Sequence, residues 1–216
     1  MIATLRLWQL ISPALPIGAF SFSQGLEQAV ERGAVRDEAT ALAWIAGVLE
    51  HGLAYTDLPI VLRAHAAAAG RDAPALARCG ETLTAFRETA EARLEDASMG
   101  AALESLLAAL GVPIAAGPLP FACAFGGACA AWQIEPRAAC AGYAFAWCEA
   151  QTAAAVKLVP LGHTAGQRLL LALGAPIERA AAAAFERGDD DLGASLPGLA
   201  LASALHETQY TRLFRS

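Results

Sequence analysis

Apolar residues recur in this chain at intervals of three and four, between proline, glycine and aspartate breaks, from one end to the other. That spacing is the signature of amphipathic helices, and no stretch shows the alternation a half-buried strand needs. Asp37 is a natural N-cap for a helix whose stripe is Leu42, Ile45, Leu49 and Leu53. Thr56, Asp57 and Pro59 open another that ends at Gly70, and Asp72 with Pro74 opens the next. Leu83, Phe86, Leu94, Leu103, Leu106 and Leu110 continue the pattern to Gly111, with a break expected near Gly100. An uncharged helix follows Pro120. Pro136 starts one whose stripe is Tyr143, Trp147, Ala150 and Ala154, ending at Pro160. Thr164 caps a short helix to Leu173, Pro176 starts one through Phe185, and a last helix spans Leu199 to about Gln209. Ser21 with Gln24 has capping-box spacing for a short helix stopping at Gly33. These elements predict an all-α, single-domain helical bundle over residues 1–216. Residues 188–198 read as a polar linker and residues 206–216 as an exposed C-terminal tail.

Only 17% of the 216 residues are charged against 56% hydrophobic, and mean hydropathy is +0.42. A soluble domain averages about 25% charge, so a chain this poor in charge points to surface covered by another subunit or by lipid. A net charge of −6 without a basic stripe argues against nucleic acid. Residues 105–134 carry no charge, but Pro113, Pro118, Pro120 and four glycines interrupt them, so they read as a buried soluble helix rather than a membrane span. Gln9, Ser12, Pro13 and Pro16 likewise interrupt the apolar run after Arg6, which argues against a signal peptide. Cys79, Cys123, Cys129, Cys140 and Cys148 are odd in number and lack C-x-x-C spacing, as expected of reduced, buried thiols in a cytoplasmic protein.

Catalytic signals are weak. His51, His65, His163 and His206 have no metal-ligand spacing, and no Ser/His/Asp or Cys/His arrangement can be argued. Pro160 to Gln167 lacks the Gly-Lys-Ser/Thr ending of a phosphate loop and joins helices, so it reads as an interhelical turn. Glu91 and Glu95, four apart, read as a solvated helix face. No catalytic residue and no metal ligand is expected.

Two segments differ from the alanine-rich remainder. In Ile11–Glu27, Pro13 and Pro16 exclude a helix, Gly18 follows, and Phe20 and Phe22 interleave with Ser21 and Ser23. The tail His206–Ser216 mixes Arg212 and Arg215 with Tyr210 and Phe214, a composition enriched at interfaces, which favours docking on another protein over folding back. Lys157 is the only lysine; it either complements the end of its helix or contacts a partner.

The block Ser12-Pro13-Ala14-Leu15-Pro16-Ile17-Gly18-Ala19-Phe20-Ser21-Phe22-Ser23-Gln24-Gly25-Leu26-Glu27 resembles the N-terminal signature of the UreF family of urease accessory proteins. Glu95–Gly100, Val156–Gln167 and His206–Ser216 match further family blocks in the same order. The family often has Tyr at the position of Phe22 and Gln at that of His163. The resemblance implies an all-α homodimer that is not an enzyme. It would bridge UreD (UreH in some bacteria) and the GTPase UreG in the complex that delivers nickel to apo-urease, and modulate UreG's GTPase activity. Nickel and GTP would be handled by those partners, with no cofactor of its own. By residue match the implied contacts are Phe22, Gln24, Glu27 and Lys157, with His206, Glu207, Gln209, Tyr210, Arg212, Phe214 and Arg215 from the tail. Two readings from the residues alone stay open: a small membrane-embedded helical protein, and a helical metal-dependent hydrolase using His51, His65 and a cysteine.

Overall fold

The structure, a computed structural model, describes residues 1–112, 114 and 117–216. Pro113, expected to interrupt the uncharged run, lies outside the described residues. In chain order the helices are α1 (Ile2–Leu10), α2 (Leu26–Glu31), α3 (Glu38–Val48), α4 (Asp57–Ala69), α5 (Ala73–Phe86), α6 (Ala90–Ala109), α7 (Phe121–Ala131), α8 (Pro136–Leu158), α9 (His163–Glu186) and α10 (Pro197–His206). Among the described residues no strand occurs, so the all-α expectation holds.

The caps follow local chemistry. Asp37 accepts the Thr40 amide while the Thr40 hydroxyl reaches back to the Asp37 amide, closing a capping box on α3. Asp72 and Thr89 cap α5 and α6 through the amides of Ala75 and Ala92. Gly33 and Gly111 turn the chain at φ 71° and 74° after α2 and α6.

Helix α7 forms the centre. Ala122 to Cys129 are all buried, and α4 and α6 lie against them. Glycine permits this approach: a Cβ at Gly126 would sit 2.5 Å from the Val61 carbonyl oxygen. Phe125, Phe121 and Tyr143 then pack edge-on or tilted, with ring centroids 5.3–6.0 Å apart. Within the uncharged run, Phe121–Ala131 thus form the innermost helix of the bundle, while residues 105–109 belong to the end of α6. Among the described residues no single helix is long and apolar enough to cross a membrane, although α3 with its extension to Leu53 and α4 form one bent pair, at 46°, that meets the length and composition test.

Several expectations are corrected. Pro176 does not start a helix but lies inside α9; the apolar face Ala165, Leu169, Leu173, Ile177, Ala180 and Ala184 is buried throughout and outweighs the roughly 3 kcal/mol cost of an internal proline. The break expected near Gly100 falls instead at Arg87–Thr89, and Gly100 is mid-helix because a Cβ there would lie 1.9 Å from the Leu119 carbonyl oxygen. Ser21 and Gln24 form no capping box: the Ser21 hydroxyl donates to the Gly18 carbonyl, and the N-cap of α2 is Gly25. Thr164 is likewise not the cap of α9, which begins at His163 after Gly162. The 188–198 linker is strapped down: Arg63 donates to Asp189 and to the Arg187 carbonyl, and the Gly193 amide to the Tyr55 carbonyl. Helix α1, unforeseen in the sequence, seats Leu7 and Ile11 against Gly142 and leaves Ile2, Leu5 and Trp8 exposed.

Gly100→Ala is expected to cost roughly 3 kcal/mol or more by forcing α6 from the Leu119 backbone. Gly174→Ala, on open helix surface, is expected to stabilise by about 0.5–1 kcal/mol. Urea denaturation of the two variants checks the opposite signs.

Candidate partner-binding site

The two segments set apart by composition meet. Gly18, Gln24 and Gly25 take left-handed φ of 76°, 53° and 79°, which turns Ser12–Gly25 into a compact shaped loop. Gly25 also lies where a Cβ would press 3.2 Å from Ala202 Cβ and the Ser203 nitrogen, so α2 starts directly against α10. The turn at Gln24 aims consecutive amides at one acceptor. Ser23 N–H (2.6 Å), Ser23 Oγ (2.6 Å) and Gln24 N–H (3.1 Å) all donate to the Ser216 carbonyl oxygen, and Arg215 N–H donates to the Ser21 carbonyl at 2.7 Å.

Three buried carboxylates complete the clasp. Glu27, in the first turn of α2, accepts the amides of Leu213 (2.7 Å) and Phe214 (3.0 Å) and lies 3.0 Å from His206 Nε2. His206 is fully buried, and its Nδ1 lies 2.9 Å from Glu91 at the start of α6. Each ring nitrogen thus faces a carboxylate oxygen, and the ring joins α2 to α6. Arg212 reaches Glu91 as well. Glu95, one turn on, accepts from the Gln24 side-chain amide (2.5 Å) and the Ser216 hydroxyl (2.8 Å), while Trp147 Nε1 donates to Gln24 Oε1 at 2.6 Å. Burial pushes the Glu95 carboxyl up to about 7, against the smaller opposing pull of its two donors.

A second buried network adjoins the first. Arg87 donates to Asp57 and Asp96, Tyr143 donates to Asp57, and the Phe121 amide donates to Asp96. Burial opposes the charge on Asp57, yet the Arg87 fork and the Thr56 and Tyr143 hydroxyls hold its carboxyl below the usual range. Asp96 receives a single guanidinium bond and burial wins, so its carboxyl is raised. Between the networks lies a cavity of about 260 Å³, lined in part by Asp57, Phe22, Glu95, Asp96, Trp147 and Ser216.

The expected contact residues divide by exposure. Phe22, Glu27, His206 and Phe214 are buried and form the support; Gln24 and Gln209 are half-buried. Lys157, Glu207, Tyr210, Arg212 and Arg215 are exposed, as is Leu213. Lys157 Nζ stands 5.6 Å over the Phe214 ring, and the Arg215 guanidinium 5.7 Å over Phe22. The tail therefore folds back on its own domain along one side and presents the other. Sequence reasoning missed Ser23, Trp147 and, above all, Glu91 with Glu95, which are not a solvated face but the buried anchors of the tail. The signal available was acidic crowding at Glu88, Glu91, Glu95 and Asp96 in a charge-poor chain.

His51 is exposed and His65 meets the Ile134 carbonyl at 2.8 Å. Burial pushes the Cys140 and Cys148 thiols up to about 12, away from the thiolate. Among the described residues no group of three or more His, Cys, Asp or Glu is placed to hold a metal.

Glu27→Ala strands two amides and the His206 imidazole. The expected loss is roughly 3 kcal/mol in urea denaturation, with faster tryptic cleavage at Arg212 and Arg215 than in the parent protein.

The model of the UreF family matches residues 35–174. Urease accessory protein UreF of Alkalilimnicola ehrlichii is 49% identical over 224 residues, covering all of this chain and 96% of that protein. The UreF proteins of Azoarcus sp. and Marinobacter nauticus are 48% and 46% identical, again over the whole chain and 97% and 95% of their own lengths. The clasp segments Ser12–Glu27 and His206–Ser216 fall outside the family-model match but inside these full-length alignments. The chain belongs to the UreF family of urease accessory proteins, which assist the enzyme rather than catalyse its reaction.

Proposed function

We propose that this protein is the scaffold of the urease nickel-insertion complex. It bridges UreD (UreH) and the GTPase UreG, works in the cytoplasm as a homodimer, and modulates GTP hydrolysis by UreG. In this reading nickel and GTP are carried by the partners, and apo-urease receives the metal. The observation that supports it best is the clasped tail. Its backbone is pinned from Leu213 to Ser216 by Glu27, Ser21, Ser23 and Gln24, so Leu213 is held on a fixed base although largely exposed, and the fully exposed Tyr210 lies between that base and the buried His206. Lys157 and Arg215 flank that base, resting on aromatic rings. A pre-ordered aromatic and aliphatic pair beside cations is what a partner interface selects, because little side-chain or loop entropy remains to be lost on binding.

Truncation from His206 onward would remove a buried core residue and blur the result. The sharper variant is Tyr210→Ser with Leu213→Ser, which alters only exposed side chains. It is expected to keep its helical circular dichroism and melting temperature while losing tenfold or more in co-purification with UreD and UreG. Undiminished recovery of both partners would refute the tail as the docking element.

A further inference from the structure

Five buried carboxylates, Glu27, Asp57, Glu91, Glu95 and Asp96, converge where the tail meets the body. Two arginines and a histidine answer them: Arg87 pairs with Asp57 and Asp96, Arg212 with Glu91, and the two ring nitrogens of His206 face Glu27 and Glu91. Among the described residues no cation stands within ion-pair distance of Glu95. Its partners are two neutral donors, the Gln24 amide and the Ser216 hydroxyl. A buried carboxyl with neutral partners is best accommodated with its proton on.

The neighbours reinforce this. On its own helix Asp96 is adjacent and Glu91 lies one turn back; α2 contributes Glu27; α4 contributes Asp57. Arg87, at the end of α5, acts on Glu95 from a distance. From α10 and the tail come His206 and Arg212, both already committed to other carboxylates. On α8, Tyr143 binds Asp57, and Glu149 and Lys157 line the same cavity as Glu95. That cavity gives the carboxyl a path to water when the tail lifts.

We propose that Glu95 is a proton-operated latch on the C-terminal tail: protonated, it holds Ser216 and Gln24 closed over the cavity, and ionised, it favours release of the last residues into solvent. The direction follows from linkage. In the closed form the carboxyl keeps its proton up to about pH 7; once hydrated in the open form it returns toward the ordinary 4.5. Opening therefore becomes easier as pH rises from about 4.5 to about 7 and levels off above that. Resting on the docking role proposed above, the latch would set how much of the tail is held in its clasped, docking-ready form across the neutral range.

Amide hydrogen exchange in the full chain tests this, read at Ser23, Gln24 and Arg215, whose amides close the clasp, and corrected for intrinsic exchange rates. Between pH 6 and pH 8 the opening equilibrium is expected to rise roughly tenfold, while amides of α4 and α7 stay protected. Glu95→Gln keeps the size of the side chain without the charge and mimics the protonated form: its amide oxygen can accept from Gln24 while its amide nitrogen donates to the Ser216 hydroxyl oxygen. It is expected to remain closed and to lose the tenfold rise. A flat parent profile overturns the proposal. So does a tenfold rise that survives in Glu95→Gln, which would place the responsive proton on another group. If Glu95→Gln opened the tail at both pH values, the ionised form would be the closed one and the proposal would be wrong in sign.

Discussion

Everything distinctive in this molecule depends on the carboxylate of Glu27. One side chain in the first turn of a six-residue helix accepts two consecutive backbone amides from a segment 186 and 187 positions away, and faces the buried ring of His206. Burying a charge without partners costs several kcal/mol, whereas a buried charge with its acceptor positions filled becomes an organising point. Glu27 fixes the tail backbone; the fixed tail delivers Ser216 to Ser23 and Gln24; and those bonds hold the Pro13–Gly25 loop in its shape. Removing the acceptor would therefore act on both ends of the chain.

The helical frame exists to bring those ends together. Gly126 on α7 lets α4 approach within backbone contact distance, and Gly100 on α6 does the same for the Leu119–Phe121 backbone that leads into α7. This places the acidic first half of α6 beside the N-terminal loop and α10. Scarcity of charge is then economical rather than odd. Most of the bundle needs none, and five of its carboxylates are spent in one place, where they select a particular arrangement of chain ends rather than add to general stability.

The helices were legible because their causes are local. Asp37, Asp72, Gly33, Gly70 and Gly111 act within a turn of where they sit, and the Leu42–Ile45–Leu49–Leu53 stripe repeats at helical spacing. Pro176 was misread because its cost is local while the burial that overrides it comes from α9's long apolar face. The site was half legible. The two segments stood out by composition and by resemblance to UreF proteins, but the division of labour between them did not. Glu91 and Glu95 read as solvent-facing because burial of a carboxylate is decided by residues more than a hundred positions away, such as His206 and Ser216. For the same reason Phe22, Glu27, His206 and Phe214 read as contacts, although their side chains face inward.

The central claim is that Glu27 and His206 act as one unit binding the two chain ends. A double-mutant cycle of Glu27→Gln and His206→Gln, followed by urea denaturation, tests it most directly. The account predicts a coupling energy of about 1–3 kcal/mol, as for contacting members of a buried polar network. Additive effects within about 0.3 kcal/mol would contradict it.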